Sequence, residues 1–416
     1  MPGRRGVLLA LVVSAWPCAA AKAQSDIFSP QTLHGELDLR ASATDGEPSF
    51  NDQGFGKLRY GGDGGSNGKS LLQVATAAVE WNPHAGWAWS GVIDLIAQPG
   101  QEHSVDVDQA YVVFKPAPRS ASRFVVRAGY FYPPVSLEND GRLWSLTNTI
   151  TPSAIDTWIG EEVKVVGVEA TVSRSLGDQS LAATAGVFGD DDTAGTLIAY
   201  RGWALHDIQS QAFGRYKLPP LAPLIAGLQD SESYSTREID NRLGAYVRLE
   251  WRPTPSLALH AFYYDNNGDG TDATPDQQWA WSTRFWEAGL SWDIDERTRL
   301  LAQALGGRTS LGPANARFAD VDFHAAYVLA RRSVGKGAFS GRLDLFDTDD
   351  LAPRRFGDTS ETGWALTGAW RYPLNRYLDV RLEALRVDST RAARVLAGET
   401  PHQAQTEVQS SLRVSF

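Results

Sequence analysis

The stretch EVQSSLRVSF, residues 407–416, decides the fold. Val408, Ser410, Leu412, Val414 and Phe416 share one side of a two-residue period, and Glu407, Gln409, Ser411, Arg413 and Ser415 share the other. An apolar-against-polar strand that runs to an aromatic ring is a sticky edge. It needs a partner strand beside it and something apolar over its outer face.

The opposite end sets the compartment. Arg4 and Arg5 precede an apolar run from Val7 to Trp16, and Ala21-Lys22-Ala23 stands before Gln24. A short basic start, a core too short to span a membrane and a small-residue site read as an export signal over residues 1–23. Its removal takes away Arg4, Arg5 and Lys22, and the net charge moves from −10 to −13. Cys18 and Met1, the only Cys and Met, go with it. An exported chain without cysteine relies on a hydrogen-bonded framework rather than disulfides. The acidic balance argues against nucleic acid as a partner.

Beyond the signal no apolar run approaches the length of a spanning helix. Instead, sixteen stretches read as strands: 33–43, 70–81, 86–97, 106–115, 122–131, 160–173, 179–189, 242–252, 256–264, 279–294, 297–306, 320–332, 336–346, 361–372, 377–388 and 405–416. The gaps alternate. Long ones (44–69, 132–159, 190–241) are followed by short ones such as NPHA, RSLGD and PTP, all the way along the chain. Strict alternation suits an all-β, 16-stranded antiparallel transmembrane up-and-down β-barrel over residues 24–416, with short periplasmic turns and long outer loops. Trp81, Trp87, Trp251, Trp279, Trp292, Tyr372 and Tyr377 stand near strand ends, as an interfacial girdle requires.

Two stretches carry a family resemblance. Leu412, Val414 and Phe416 resemble the terminal signal by which outer-membrane proteins meet the barrel-assembly machinery. RAGYFYPPVSLEND, residues 127–140, resembles the G-x-F-x-x-P-x-S/G-L-E segment of the phosphate-selective porin O and P family, through Gly129, Phe131, Pro134, Leu137 and Glu138. The resemblance implies a trimeric diffusion channel set in outer-membrane lipid. Tyr132 stands where that family carries a basic residue, and its phosphate-binding side chains have no residue-by-residue counterpart here.

A barrel this wide needs narrowing, and the third outer loop, 132–159, is the expected constriction. It carries Glu138, Asp140, Arg142 and Asp156, with Trp144 and Trp158 to pack it. A charge facing lipid at mid-depth costs about 2–4 kcal/mol. Alternation therefore turns Arg40, Arg123, Arg127, Arg248, Arg342, Arg371, Arg381 and Arg413 inward, with Glu36, Asp38, Asp94, Glu250, Asp322, Asp344, Asp379, Glu383 and Glu407 on the same faces. For any one arginine, pairing with a neighbouring carboxylate is the plainer expectation. As a group they line a polar, ion-permeable lumen with a transverse field. Tyr111, Tyr130 and Tyr264 could form an aromatic track for sugars, and His34, His260 and His324 sit at lumen-facing positions.

DNNGDGTDATPD, residues 265–276, matches the start of a calcium loop through Asp265, Asn267, Asp269 and Asp276, although the same residues serve as ordinary turn chemistry. GDDDT, 189–193, reads as solvated loop. No nucleophile–base spacing, zinc spacing or phosphate loop stands out, so neither catalysis nor another cofactor is expected. The expectation is a water-filled outer-membrane porin for small hydrophilic solutes and ions. A channel selective for phosphate or other small anions is the narrower reading, and a soluble secreted β-protein that binds or hydrolyses carbohydrate is the reading from another class.

Overall fold

A computed structural model describes residues 27, 29–64 and 68–416. The expected export signal, 1–23, lies outside the described residues. Sixteen long strands form one antiparallel ring. They are β1 (Leu33–Thr44), β2 (Lys69–Trp81), β3 (Trp89–Ala97), β4 (Asp106–Phe114), β5 (Ser122–Phe131), β6 (Val165–Leu176), β7 (Gln179–Gly189) and β8 (Gly244–Thr254). The second half comprises β9 (Leu257–Asp265), β10 (Ser282–Asp293), β11 (Thr298–Leu311), β12 (Ala319–Val334), β13 (Gly337–Asp350), β14 (Glu361–Pro373), β15 (Leu378–Arg391) and β16 (His402–Ser415). The two-residue segment His84–Ala85 adds a short pairing to β3.

The terminal strand finds both partners. β16 pairs with β15 on one side and with β1 on the other, from Glu36↔Ser415 to Thr44↔Glu407. Every backbone amide of a spanning strand then has a neighbour, as hydrocarbon demands. Around the ring the usual burial order is inverted. Asp38 and Arg40 are hidden while Leu39 between them is exposed; Gln409, Ser411 and Arg413 are hidden while Val408 is exposed. Val112, Val172, Leu249, Trp286, Leu343 and Leu366 also face outward. A continuous apolar outer surface is correct for lipid and wrong for water. The soluble reading is therefore set aside.

The third outer loop runs from 132 to 164, longer than the expected 132–159, because a helix, α1 (Ala154–Glu162), precedes β6. Pro152 and Ser153 start it: the Ser153 hydroxyl accepts from the Asp156 amide at 3.2 Å. Every residue of α1 is buried. The fourth loop, 190–243, also enters the barrel. Its helix α2 (Thr196–Tyr200) and residues 203–205 are buried, and only Arg215–Lys217 and Glu232–Tyr234 pair as a small outer hairpin.

These two loops change the interior. Phe188, Tyr246, Phe262, Tyr264, Phe285, Phe323, Tyr327 and Phe346 project inward from β7–β13 and form an apolar core with α1. Trp158 lies edge-on to Phe285 and Phe323, at ring-centroid distances of 5.2 and 5.0 Å. Along this arc much of the inner face is apolar as well, which departs from the expected polar lumen, although His260, paired with Glu287 at 2.8 Å, and Arg248, paired with Glu250, face inward as expected. The expectation for Asp322 and His324 fails for the same reason. Inward positions on β12 belong to Val321, Phe323 and Ala325, so Asp322 and His324 point outward, near Arg308 and Asp347 at 3.6 and 3.0 Å.

Candidate pore constriction

The third loop is fastened by wall arginines. Arg342 on β13 donates to the carbonyls of Thr151 and Pro152 at 2.7 and 2.8 Å, and pairs with Glu138 at 3.0 Å and Asp344 at 2.8 Å. Glu138 in turn accepts from the Ser153 amide at 2.8 Å. Arg381 on β15 donates to the Leu146 carbonyl at 2.8 Å, and Glu383 beside it accepts from the Ile150 and Thr151 amides at 2.6 and 3.1 Å. A planar guanidinium suits this task because its fixed fork of donors can satisfy several carbonyls and a carboxylate together.

The pore-lining candidates consequently divide. Arg40, Arg342, Arg381 and Arg413 face inward as expected, but they are buried in ion pairs and loop contacts rather than presented to water. Glu138 and Asp156 of the loop are equally hidden. Burial, with Glu138 beside it, pushes the Asp156 carboxyl well above its ordinary range. Arg248 pairs with Glu250 at 3.0 Å, Arg371 with Asp379 at 3.1 Å, and Arg127 with Glu169 at 2.8 Å. Arg123, Asp140 and Arg142 remain exposed or half-exposed, with Asp140 accepting from the Thr147 hydroxyl at 2.7 Å.

Three buried charge clusters tie the fourth loop down and were not anticipated. Asp207 bridges Arg40 and Arg59 at 2.7 and 2.9 Å; Glu161 of α1 joins Arg201 and His206; Lys164 meets Asp108 at 2.7 Å and the Ser210 carbonyl at 2.8 Å. The available signal was composition: TLIAYRGWALHDI, residues 196–208, is too apolar for a solvated loop. The reading of GDDDT as solvated is corrected with it. Asp191 is buried against the Tyr264 hydroxyl, and Asp192 accepts from the Ile239 and Asp240 amides. Tyr130 and Tyr264 are buried too, so only Tyr111 of the three tyrosines borders open space.

That space is a cavity of about 310 Å³ between β2–β5 and the front of the third loop. Glu80, Asp94, Gln109, Tyr111 and Arg127 form the wall; Pro133, Pro134, Asn139, Arg142 and Trp144 form the loop side. A smaller one, about 40 Å³, lies alongside and reaches Gln209 and Arg413. Glu80 was absent from the sequence-level candidates.

The 127–140 stretch shapes this front. Gly129 has φ +140°, and a Cβ there would lie 2.3 Å from the Ala110 carbonyl oxygen, so the strand passes its neighbour closely. Tyr132 stacks on Trp144 at 4.0 Å, donates to Asp108 at 3.0 Å and carries the Lys164 ammonium 4.1 Å above its ring. The candidate calcium ligands are held apart. Asp269 pairs with Arg242 and Asp276 with Arg237, while the Asp265 carboxylate accepts from the Asn267 amide. Among the described residues, the acidic trio close enough to share an ion is Asp192, Glu238 and Asp240, and Asp192 is already engaged by backbone amides.

No protein-family model and no curated protein matches the chain by sequence. Solved structures do match by shape. The outer-membrane channel DcaP of Acinetobacter baumannii is similar at a TM-score of 0.55 and 10% identity, covering 92% of this chain and 96% of that one. The anion-selective porin from Comamonas acidovorans is similar at 0.52 and 13% identity, over 92% and 99%. OprB of Pseudomonas putida gives 0.52 and 10% identity, over 93% and 94%. At such identities the likeness concerns architecture. The chain has the fold of the bacterial outer-membrane porins.

Proposed function

We propose that this protein is an outer-membrane porin, a water-filled channel through which small hydrophilic solutes and ions diffuse passively, and that it works as a homotrimer in outer-membrane lipid after insertion by the barrel-assembly machinery. The observation behind the reading is the third loop, fastened inside a lipid-facing ring and leaving a polar cavity at its front. One shape-similar protein, OmpT of Vibrio cholerae, is described in a trimer form, which supports the oligomer. The narrower reading, selectivity for phosphate or another small anion, has less behind it. Arg342 and Arg381 are occupied by the loop, and in the open cavity Arg127 and Arg142 are paired with Glu169 and Glu80, beside the carboxylate of Asp94.

Planar-bilayer recording in potassium chloride tests the proposal. Discrete conductance steps are expected, with a reversal potential that leans toward cations; protein that inserts yet gives no steps would overturn the channel function while leaving the barrel intact.

A further inference from the structure

The cavity wall places two carboxylates together, and the arginine in that wall, Arg127, is committed to Glu169 and the Tyr132 carbonyl. Glu80 on β2 and Asp94 on β3 are direct cross-strand partners. Like charges placed opposite one another destabilise a sheet pair. Asp108 lies on the next strand, and Lys164 is committed to it. Glu80 is compensated by Arg142, whose side chain is 58% exposed. Asp94 is 1% exposed; its Oδ2 accepts from Gln109 Nε2 at 3.1 Å, and its Oδ1 has no hydrogen-bond partner. A buried carboxylate oxygen without a partner costs free energy that a donor cation would recover.

The surroundings specify which cation. Two carboxylates are too few for a divalent ion that prefers six to eight oxygen ligands. The cavity is large enough for an organic group, and the half-buried Tyr111 and Trp144 line it, side chains of the kind that favour an organic cation over a bare ion. Arg142 reaches Glu80 from the loop with its side chain largely exposed, so this pair is open to solvent and to competing cations.

We infer that the cavity in front of the third loop is a binding site for the ammonium or guanidinium group of a passing solute, with Asp94 as the anchoring carboxylate and Glu80 as its second. This inference rests on the proposed channel, because it names what that channel holds at its narrow point.

The test uses L-arginine as the probe. In planar bilayers arginine should interrupt the potassium chloride current, glucose and glutamate should not, and Asp94→Asn should weaken the arginine block about ten-fold or more, the loss expected for a charge-assisted hydrogen bond. Calorimetric titration of arginine into the detergent-solubilised, folded barrel reads the same site without requiring conduction. Loss of binding in Asp94→Asn with folded protein supports the site even if no current is seen. Equal block and equal binding in wild type and Asp94→Asn, or block by glutamate as strong as by arginine, overturns it. Glu80→Gln gives an independent reading should Asp94→Asn misfold: a smaller loss is expected, and no loss in either measurement rejects the shared acidic site.

Discussion

The two sides of the barrel interior hold the same loop by different physics. On β7–β13, rings packed on Trp158 of α1 exclude water, and the contact is non-directional. On β13–β16, buried arginines and carboxylates grip the loop backbone atom by atom. Apolar packing tolerates small shifts in position, whereas a guanidinium fork fixes which carbonyl sits where. The first side therefore supplies cohesion without direction, and the second supplies the register that places Arg142 and Trp144 over the cavity.

Breaking the polar side should have the largest effect. Arg342→Ala leaves Glu138 and Asp344 buried without their partner, a loss of about 3–5 kcal/mol. The heat-modification temperature should fall, and single-channel conductance should rise as the loop front detaches; unchanged conductance would assign the loop's position to the aromatic side instead. Trp158→Ala on the packed side should cost nearly as much, about 3–5 kcal/mol, but with the arginine clamps intact its conductance should stay close to wild type.

Acid probes the joint between α1 and the fourth loop, which belongs to neither side. Burial alone would raise the Glu161 carboxyl, but Arg201 and His206 outweigh it and hold it at about 2, against an ordinary 4.5. A depressed carboxyl contributes its full stability above the unfolded value and loses it as pH falls through the folded one. The melting temperature should drop between about pH 4.5 and 2, and Glu161→Gln, less stable at neutral pH, should show a shallower drop across that window.

Neutralising Arg123 and Arg127 to glutamine should shift the reversal potential toward cations by a smaller amount, since Arg127 already shares its charge with Glu169. An unchanged potential would place both outside the conducting path. Smallest of all, adding calcium to the 265–276 loop should not move the melting temperature, because Asp269 and Asp276 each hold an arginine.

The ring was legible in the sequence because lipid and backbone pairing impose a period of two that shows directly in residues such as 407–416. The third loop's length and tryptophans allowed an inward course but did not dictate it, because the contacts that hold it come from arginines on distant strands. The interior core was not legible. Phe285 and Phe323 sit on strands whose outer faces are also apolar, and only a covering segment, α1, makes an inward ring favourable. Such cover depends on loops distant in sequence. The direction of Asp322 and His324 was lost in the same way: charge was used to choose the face, and at the outer rim, beyond the hydrocarbon, charge is equally at home outside. Glu80 escaped notice because its partner, Arg142, arrives from a loop rather than from a neighbouring strand.

One contact at the seam bears on how the ring acquires its girth. Phe416 and Gly35 exchange both backbone hydrogen bonds at 3.0 Å, and a Cβ on Gly35 would lie 2.3 Å from the Phe416 ring. The ring thus fits over this bare backbone position and would meet Leu33 or Leu37 after a slip of two residues. Such a slip would alter the stagger between first and last strands, and with it the tilt of all sixteen and the width of the cylinder. Phe416 seated on the bare backbone of Gly35 therefore favours the stagger at which the cylinder shuts.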